Sequence, residues 1–240
     1  ALDGSVFIGG QFDTAGGLPR HNVAKLSAET GLADPAWDAD PDGSVEALAI
    51  DNLGRLHASG DFDQIGGEAR YGIARLLADG SADPSFVPFV GNLGSILAMA
   101  ISESGEFYVA GSFGQTAGQN VYGNLARIGA DGNIDAGWQP TTNDQTYAID
   151  LPGGVNAIVV QPNGGTMVGG TFMKGGGMER ANLLRIMPSG EVDPVWNPSA
   201  NDSVWALATD GNDSVYAAGR FSRIGGVQRA RLARVDADSE

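Results

Sequence analysis

A Gly-Xaa-Phe tripeptide recurs five times along this chain, each time between similar neighbours. The surrounding segments read VFIGGQFDTAGG, HASGDFDQIGG, YVAGSFGQTAG, MVGGTFMKGGG and YAAGRFSRIGG. Successive phenylalanines are 50, 51, 59 and 49 residues apart: Phe12, Phe62, Phe113, Phe172 and Phe221. A period near fifty residues over the whole chain indicates a repeat architecture in which each unit packs on its neighbours. We therefore predict a single domain over residues 1–240, with repeats at roughly 1–43, 44–94, 95–154, 155–202 and 203–240.

Each repeat contains segments with the character of short β-strands. An inner segment alternates large and small apolar residues, as in VEALAI, ILAMAI, VNAIVV and VWALAT. A second segment leads into Gly-Xaa-Phe, a third carries one basic residue, and a fourth is acidic and then aromatic, as in DPAW or DPVW. Four short strands in about fifty residues, repeated along the chain, predict an all-β fold, the β-propeller, with one blade per repeat.

The two ends of the chain depart from the repeat. The first repeat has no inner segment, and the last has no acidic-aromatic segment. The prediction is therefore a five-bladed β-propeller with incomplete first and last repeats. Because an unpaired strand edge can accept another strand, these ends could pair with another chain or with a second copy.

One basic residue of the third segment and one aspartate of the fourth keep a nearly constant spacing. The pairs are Lys25 with Asp34, Arg75 with Asp83, Arg127 with Asp135, and Arg185 with Asp193. A catalytic pair would be needed once, whereas these pairs recur in successive repeats. We interpret them as structural ion pairs and expect the aromatic residues beside them to be buried between neighbouring sheets, at Trp37, Phe86, Trp138 and Trp196.

Charge and composition exclude several classes of function. The chain has 14 basic and 29 acidic residues and a formal net charge of -15, which disfavours nucleic acid and anionic membranes as partners. It has no cysteine, which excludes disulfides, thiolate metal sites and cysteine nucleophiles. No apolar stretch approaches the length of about 18 residues that spans a bilayer. Because the chain starts at Ala1, we expect a mature form or an excised piece.

The whole chain resembles the delta-60 repeat family of bacterial β-propeller domains. The resemblance is carried by the recurring Gly-Xaa-Phe, Leu-Ala-Arg and Asp-Gly/Asp-Pro-aromatic elements, and is strongest in IARLLADGSADPSF and LARIGADGNIDAGW. It implies a propeller and an exported or cell-surface bacterial protein. It implies no established activity, so it identifies no catalytic residue.

One loop has the spacing of calcium ligands. Asp38, Asp40 and Asp42 alternate before Gly43, and Glu46 follows at the ninth position, which suits oxygen coordination of calcium. The twelfth position lacks the glutamate of a calcium-binding loop, and Pro41 separates two of the candidate ligands. A solvated loop without metal is therefore the alternative to a calcium site.

An insertion in one inter-repeat connection provides a candidate contact site. The distance from the outer aromatic residue to the next inner segment is 8, 10, 17 and 8 residues in the four connections. The long connection, around Thr141–Gly154, contributes polar side chains for a ligand or partner at Asn143, Asp144, Gln145, Tyr147 and Asp150. A neutral insertion is the alternative, because surface loops tolerate extra length.

No catalytic arrangement emerges from the sequence. The inner segments carry one acid, Glu46, whereas a propeller glycosidase needs two carboxylates. His21 and His57 belong to no catalytic motif, and we expect them to be polar surface or strand residues. We predict a non-enzymatic, secreted or cell-surface propeller that acts as a structural or protein-interaction module and contacts a protein, a glycan or other copies of itself. The alternative is a carbohydrate- or protein-binding domain with one asymmetric site at the 141–154 loop.

Overall fold

Short antiparallel strands form all the regular secondary structure in the residues that the computed structural model describes, and these residues contain no helix. The described residues are 4–88, 96–102, 104–117, 120–129, 132–135, 137–138, 154–211 and 214–236. Accordingly, the described part of the chain has no helix that could cross a membrane. The all-β prediction is confirmed. The prediction of a single domain stays a prediction, and the chain forms two compact units.

The first unit comprises residues 1–96 and 128–134. It contains a two-stranded sheet β1-β4, a three-stranded sheet β5-β6-β9, and the small hairpins β2-β3 and β7-β8. Its strands are β1 Ser5–Gly9, β2 Thr14–Ala15, β3 Leu18–Pro19, β4 Val23–Ser27, β5 Ser44–Ile50, β6 Leu56–Asp61, β7 Gln64–Ile65, β8 Glu68–Ala69 and β9 Ile73–Leu76. In the described residues the first sheet has no inner strand, as the sequence predicts.

The second unit comprises residues 97–127 and 135–240. It contains the sheets β10-β11-β12, β13-β14-β17 and β18-β19-β22, with the small hairpins β15-β16 and β20-β21. The strands are β10 Ile96–Ile101, β11 Phe107–Ala117, β12 Asn120–Ile128, β13 Val155–Val160, β14 Thr166–Gly170, β15 Lys174–Gly175, β16 Met178–Glu179, β17 Leu183–Ile186, β18 Val204–Thr209, β19 Val215–Gly219, β20 Arg223–Ile224, β21 Val227–Gln228 and β22 Leu232–Val235.

The sequence predicts a fourth strand in each repeat, and this prediction is wrong because the segment is too short to form one. The acidic-aromatic segment pairs with the third strand through a single bridge, such as Leu76 with Ala82 or Ile186 with Val192. It then turns, because proline supplies no N–H to a ladder and the aspartate carboxylate caps the N–H groups that follow it. Each complete sheet is therefore three-stranded, with a bridge at its outer edge.

Small hairpins follow Gly-Xaa-Phe in the first, second, fourth and fifth repeats. In β7-β8, for example, Gln64 pairs with Ala69 and Ile65 with Glu68. Two glycines with positive φ form the turn, Gly66 at 61° and Gly67 at 81°. A Cβ on Gly66 would lie 2.3 Å from the backbone nitrogen of Ala82, so the hairpin packs directly on the acidic-aromatic segment.

The residue before the segment that carries the recurring base adopts a left-handed conformation in every repeat; in the third repeat this residue lies within β12. It is Asn22 (φ 61°), Gly72 (71°), Asn124 (61°), Asn182 (63°) or Arg231 (68°). Asparagine and glycine tolerate this region, and Asn182 also donates its side-chain N–H to the carbonyl of Ala200 at 2.8 Å. Arginine has neither advantage.

We therefore expect Arg231→Asn to raise the free energy of unfolding by up to about 1 kcal/mol. The measurement is urea unfolding followed by circular dichroism. Arg229→Asn, two residues earlier and outside the left-handed region, serves as the control and should change stability little. A loss of stability in Arg231→Asn would contradict the prediction.

Apolar side chains of consecutive sheets form the core of each unit. In the first unit, Phe7 and Val23 pack with Trp37, Val45 and Leu56. In the second unit, one cluster joins the third and fourth repeats around Trp138, and another joins the fourth and fifth around Trp196. As expected from the sequence, the outer aromatic residues are at most 2% exposed: Trp37, Phe86, Trp138 and Trp196. The buried aromatic is thus a contact between neighbouring sheets.

Candidate interaction site

The recurring base and aspartate form ion pairs in the four repeats that carry both. The closest nitrogen–oxygen distances are 3.7 Å for Lys25–Asp34, 2.8 Å for Arg75–Asp83, 2.6 Å for Arg127–Asp135 and 2.7 Å for Arg185–Asp193. This confirms the predicted pairing. Each pair lies within its own repeat and recurs at the same position, which is the behaviour of a structural element.

The aspartate of each pair also caps the turn that follows. In the second repeat, one carboxylate oxygen of Asp83 accepts hydrogen bonds from the backbone N–H (2.8 Å) and hydroxyl (2.7 Å) of Ser85, and the other accepts from Arg75. Burial alone would raise the pKa of Asp83, but these hydrogen bonds outweigh it and lower the pKa to about 2. For the same reasons the pKa values of Asp135 and Asp193 are lowered.

The base of the pair also covers the aromatic ring of its own repeat. The guanidinium carbon lies 4.6 Å from the ring centroid for Arg75 over Phe86, 5.6 Å for Arg127 over Trp138 and 5.2 Å for Arg185 over Trp196. Cation–π contact therefore joins the ion pair to the buried core.

A second recurring arginine was missed by the sequence analysis. Arg20, Arg70 and Arg180 follow the phenylalanine by eight residues and are buried. Each donates to the backbone carbonyl of the paired aspartate: Arg20 to Asp34 at 2.9 Å, Arg70 to Asp83 at 3.3 Å and Arg180 to Asp193 at 3.0 Å. The equal spacing was the available signal. These arginines fasten the small hairpin to the acidic-aromatic turn.

His57 lies in strand β6 and is buried. The expectation that it is a strand residue is therefore confirmed, and the alternative expectation that it is a surface residue is wrong. Its Nε2 lies 3.2 Å from Oδ2 of Asp51, which also accepts from Nε of Arg55 at 2.7 Å. Its ring meets Phe86 edge to face, at 5.5 Å between centroids. Burial outweighs the attraction of Asp51 and lowers the pKa of His57 to about 4, so the buried imidazole is neutral near pH 7.

The candidate calcium ligands are directed at different partners. Oδ2 of Asp38 lies 3.2 Å from Nη1 of Arg20, and Oδ1 of Asp40 lies 2.6 Å from Nδ1 of the exposed His21. The hydrogen bond to Asp40 raises the pKa of His21. Glu46 accepts from the hydroxyl of Ser44 at 2.8 Å.

Asp42 has a role in the turn itself. Its Oδ1 accepts from the backbone N–H groups of Asp63 and Gln64, both at 2.9 Å. Before the inner strand of the fifth repeat, Oδ1 of Asn201 accepts in the same way from the backbone N–H groups of Ser222 and Arg223, both at 2.9 Å. The residue at this position connects the loop before the inner strand to the hairpin after Gly-Xaa-Phe.

Across the described residues, no three or more His, Cys, Asp or Glu side chains form a group that could hold a metal ion. The arrangement of Asp38, Asp40, Asp42 and Glu46 thus gives the calcium hypothesis no support, and calcium binding stays a prediction.

Replacing Asp42 with alanine should lower the free energy of unfolding by about 1–2 kcal/mol, because two backbone N–H groups lose their acceptor. Asp42→Asn should keep most of the stability, since Asn201 makes the same contacts. Thermal unfolding of both variants in calcium and in chelator provides the measurement. A calcium-dependent rise in Tm that Asp42→Asn removes would instead support metal binding at this loop.

The predicted contact residues in the long connection, Asn143, Asp144, Gln145, Tyr147 and Asp150, lie outside the described residues. Their proposed role stays a prediction. At the end of this connection, the carbonyl of Gly154 accepts from the N–H of Thr171 at 3.1 Å. The connection is therefore attached at that point to the residue between the glycine and phenylalanine of the next repeat.

The last sheet exposes large side chains. Trp205 of β18 is 54% exposed, Tyr216 of β19 is 41% exposed and Leu232 of β22 is 63% exposed. Tyr216 pairs with Arg234 across the sheet, and Ala218 pairs with Leu232, so Tyr216, Leu232 and Arg234 share one face by the alternation of strands. We name these three residues the terminal face.

Repeated three-stranded antiparallel sheets, with an aromatic core between consecutive sheets, are the construction of a β-propeller. The match to a family model agrees: the chain belongs to the family described as "Domain of unknown function (DUF5122) beta-propeller". The model matches residues 54–86, 104–137, 161–194 and 211–240, which is more than half of the chain. The resemblance to the delta-60 repeat family is thereby confirmed. No curated protein matches the chain.

Solved structures share the fold at low sequence identity. A protein of unknown function from Bacteroides caccae aligns with a TM-score of 0.51 and 14% identity, covering 98% of this chain and 73% of its own. An extracellular domain from B. thetaiotaomicron gives 0.55 and 8%, covering 98% and 26%. PorZ, a surface component of the type-IX secretion system of Porphyromonas gingivalis, gives 0.53 and 13%, covering 98% and 32%. The chain thus spans a third or less of the last two proteins.

Proposed function

We propose that this propeller is a non-enzymatic interaction module of the bacterial cell surface. The observation that carries the proposal is the contrast between its buried charges and its terminal face. The recurring ion pairs and the second arginines are engaged in holding the repeats together, whereas Tyr216 and Leu232 present apolar surface to solvent. Exposed apolar area on an otherwise acidic protein is typical of a contact surface.

Two further considerations bear on where the protein acts and on what it binds. Of the similar structures, one is an extracellular domain and another is a surface component of a secretion system. A net charge of -15 disfavours nucleic acid as a partner, because the phosphate backbone would be repelled. The proposed partner is therefore a protein or a glycan at the cell surface.

The enzymatic alternative is tested with a panel of chromogenic esters, lactones and glycosides. We expect no turnover above that of buffer, since Glu46 is the one acid of the inner strands that the structure describes and its carboxylate accepts from Ser44, two residues earlier in the same strand. A turnover that Glu46→Gln abolishes, but that Glu29→Gln at an exposed loop leaves intact, would contradict the proposal.

A second candidate is a binding domain with one asymmetric site at the 141–154 connection. The observation that favours it is the length of this connection, 17 residues against 8 to 10 elsewhere. Shortening the connection to the eight-residue length of the Trp196–Val204 connection, followed by a glycan array, provides the test. Glycan binding by the original chain that is lost on shortening supports this candidate. Unchanged binding excludes the connection as the site.

A further inference from the structure

We propose that this protein associates with copies of itself through two small surfaces of opposite charge, a basic rim on the fifth repeat of one copy and an acidic rim on the second repeat of another. The basic rim consists of Arg220, Arg223 and Val227. The acidic rim consists of Asp61, Asp63, Glu68 and Tyr71. The inference rests on the proposed function as an interaction module and names a second copy as the partner.

The charged positions of both rims are exposed in each of the four repeats whose small hairpins the structure describes. The position between the glycine and the phenylalanine holds Gln11, Asp61, Thr171 and Arg220. The first position of the hairpin holds Thr14, Gln64, Lys174 and Arg223. Since these positions are exposed also in repeats that another repeat follows, the exposure of the two arginines is a property of the repeat and not of its place in the chain.

The basic rim presents two guanidinium groups next to each other in the chain. The side chain of Arg220 is 65% exposed, and its Nε lies 3.9 Å from Oδ2 of Asp202, which is itself 44% exposed. Such a long contact between exposed side chains contributes little. Arg223 is exposed, and its Nη2 donates to the carbonyl of Gly226 at 3.0 Å, which lays the side chain along the hairpin. Both guanidinium groups therefore face solvent.

The second repeat carries acids where the fifth repeat carries arginine or a neutral residue. The equivalent residues are Asp61 and Arg220, Asp63 and Ser222, and Glu68 and Val227. All three acids are exposed. The arginine of the same hairpin, Arg70, is buried and donates to the carbonyls of Ala69 and Asp83, so its charge is engaged inside the repeat. The two rims thus have opposite charge on the same framework.

The framework under both rims is a hydrogen-bonded hairpin of the same geometry. The hairpins β7-β8 and β20-β21 have the same antiparallel register. In each case one side-chain oxygen of the preceding loop accepts two hairpin N–H groups, from Asp42 for the acidic rim and from Asn201 for the basic rim. Because the backbone is already ordered, the two rims lose little conformational entropy when they meet.

Each rim also carries one large apolar or aromatic side chain. Tyr71 is 62% exposed on the acidic rim, and Val227 is 51% exposed on the basic rim. A tyrosine ring attracts a guanidinium group that lies over its face, as the Phe86 ring does for Arg75 at 4.6 Å within the second repeat. The contact between rims therefore combines opposite charge with burial of apolar area, which is more favourable than exposed ion pairs alone.

The formal net charge of -15 makes two copies repel each other at long range. At an ionic strength of about 0.15 M, charges separated by more than about 8 Å are largely screened, whereas the charges of facing rims are closer than this. At about 1 M the screening distance falls to about 3 Å. We therefore expect association at about 0.15 M salt and its loss at about 1 M.

Two neutralised variants of the chain provide the test. One carries Arg220→Gln and Arg223→Gln and lacks the basic rim, and the other carries Asp61→Asn and Asp63→Asn and lacks most of the acidic rim. All four side chains are exposed, so both variants should keep the fold, which circular dichroism checks. Sedimentation equilibrium between about 10 μM and 1 mM should show a rising average mass for the original chain.

The decisive sample is the mixture of the two variants. Each variant alone should stay monomeric, because it lacks one of the two complementary rims. An equimolar mixture should form one-to-one dimers and nothing larger, since each variant contributes one intact rim. Non-specific association would not give this pattern.

Two single variants refine the assignment. Lys174→Gln is the matched control, because Lys174 occupies the position of Arg223 in the fourth repeat and is exposed, and it should associate like the original chain. Tyr71→Ser should weaken association about threefold, which corresponds to loss of an exposed cation–π contact.

Several results would overturn the proposal. They are an original chain that stays monomeric up to about 1 mM, association that both neutralised variants retain, and a mixture of the variants that forms no dimer. Binding of an oligogalacturonate that needs Arg220 and Arg223, without self-association, would instead assign the basic rim to an acidic glycan. Self-association and the substrate panel are separate readouts, so failure of this inference leaves the proposed function standing, and the reverse also holds.

Discussion

Replacing Gly60 with alanine is expected to lower the free energy of unfolding by about 3 kcal/mol, a large effect for a single added methyl group. Gly60 is the glycine of the second Gly-Xaa-Phe. A Cβ built on it would lie 2.0 Å from the carbonyl oxygen of Ser44 and 2.9 Å from Cα of Val45. Both contacts are backbone atoms of the inner strand, so alanine forces the two strands of the sheet apart.

The first repeat offers a matched control for this substitution. Gly10 occupies the same position, but the described first sheet has no inner strand. Among the described residues, a Cβ on Gly10 would meet the ring of Phe12 at 3.6 Å and no backbone atom of another strand. Gly10→Ala should therefore change stability by no more than about 0.5 kcal/mol. Urea unfolding of both variants provides the measurement. Equal losses in the two variants would show that the close approach of the inner strand is not the reason for the glycine.

Acidification between pH 6.5 and 4 is expected to destabilise the protein through His57. The pKa of the buried imidazole is about 4, against 6.5 in the unfolded chain, so the unfolded state binds the proton first. Stability from this residue is complete above pH 6.5 and is lost as the pH falls towards 4. The shift corresponds to about 3 kcal/mol as an order of magnitude. Asp51, Arg55 and Arg75 are the charged groups that act on the imidazole.

His57→Met tests this assignment, because methionine occupies the same position in the fourth repeat as Met167. The variant should lose the fall in stability that His57 causes between pH 6.5 and 4, while the opposite contribution of His21, whose pKa is raised by Asp40, stays. It should keep the dependence below pH 4, which comes from carboxylates such as Asp83. The pKa of Asp83 is lowered to about 2, so its contribution is present above about pH 4 and is lost as the pH falls towards 2. An unchanged profile above pH 4 in His57→Met would refute the role of His57.

Much of the fold follows from periodicity in the sequence. Gly-Xaa-Phe marks the end of the second strand in four of the five repeats, whereas β11 of the third repeat continues to Ala117. The recurring base and aspartate predict the ion pairs that the structure contains. These features could be predicted because the same physical requirement appears several times with the same spacing. The burial of Trp37, Trp138 and Trp196 follows for the same reason.

Other features depend on details that spacing alone does not specify. Asp-Pro-aromatic suggests an extended strand, but the aspartate side chain competes for the backbone N–H groups and produces a turn. Likewise, Asp42 is placed by pattern in a calcium loop, and its contacts with Asp63 and Gln64 are long-range pairings that a local motif does not contain. The function of a loop residue was therefore harder to predict than the position of a strand.

The residue between the glycine and the phenylalanine differs in every repeat: Gln11, Asp61, Ser112, Thr171 and Arg220. Of these, four are exposed: Gln11, Asp61, Thr171 and Arg220. The glycine and the phenylalanine on either side make the packing contacts. Exposed substitutions of this kind usually change stability by no more than about 0.5 kcal/mol. Selection can therefore alter the chemistry that each repeat presents without disturbing its scaffold, so a duplicated blade can acquire a new specificity one side chain at a time.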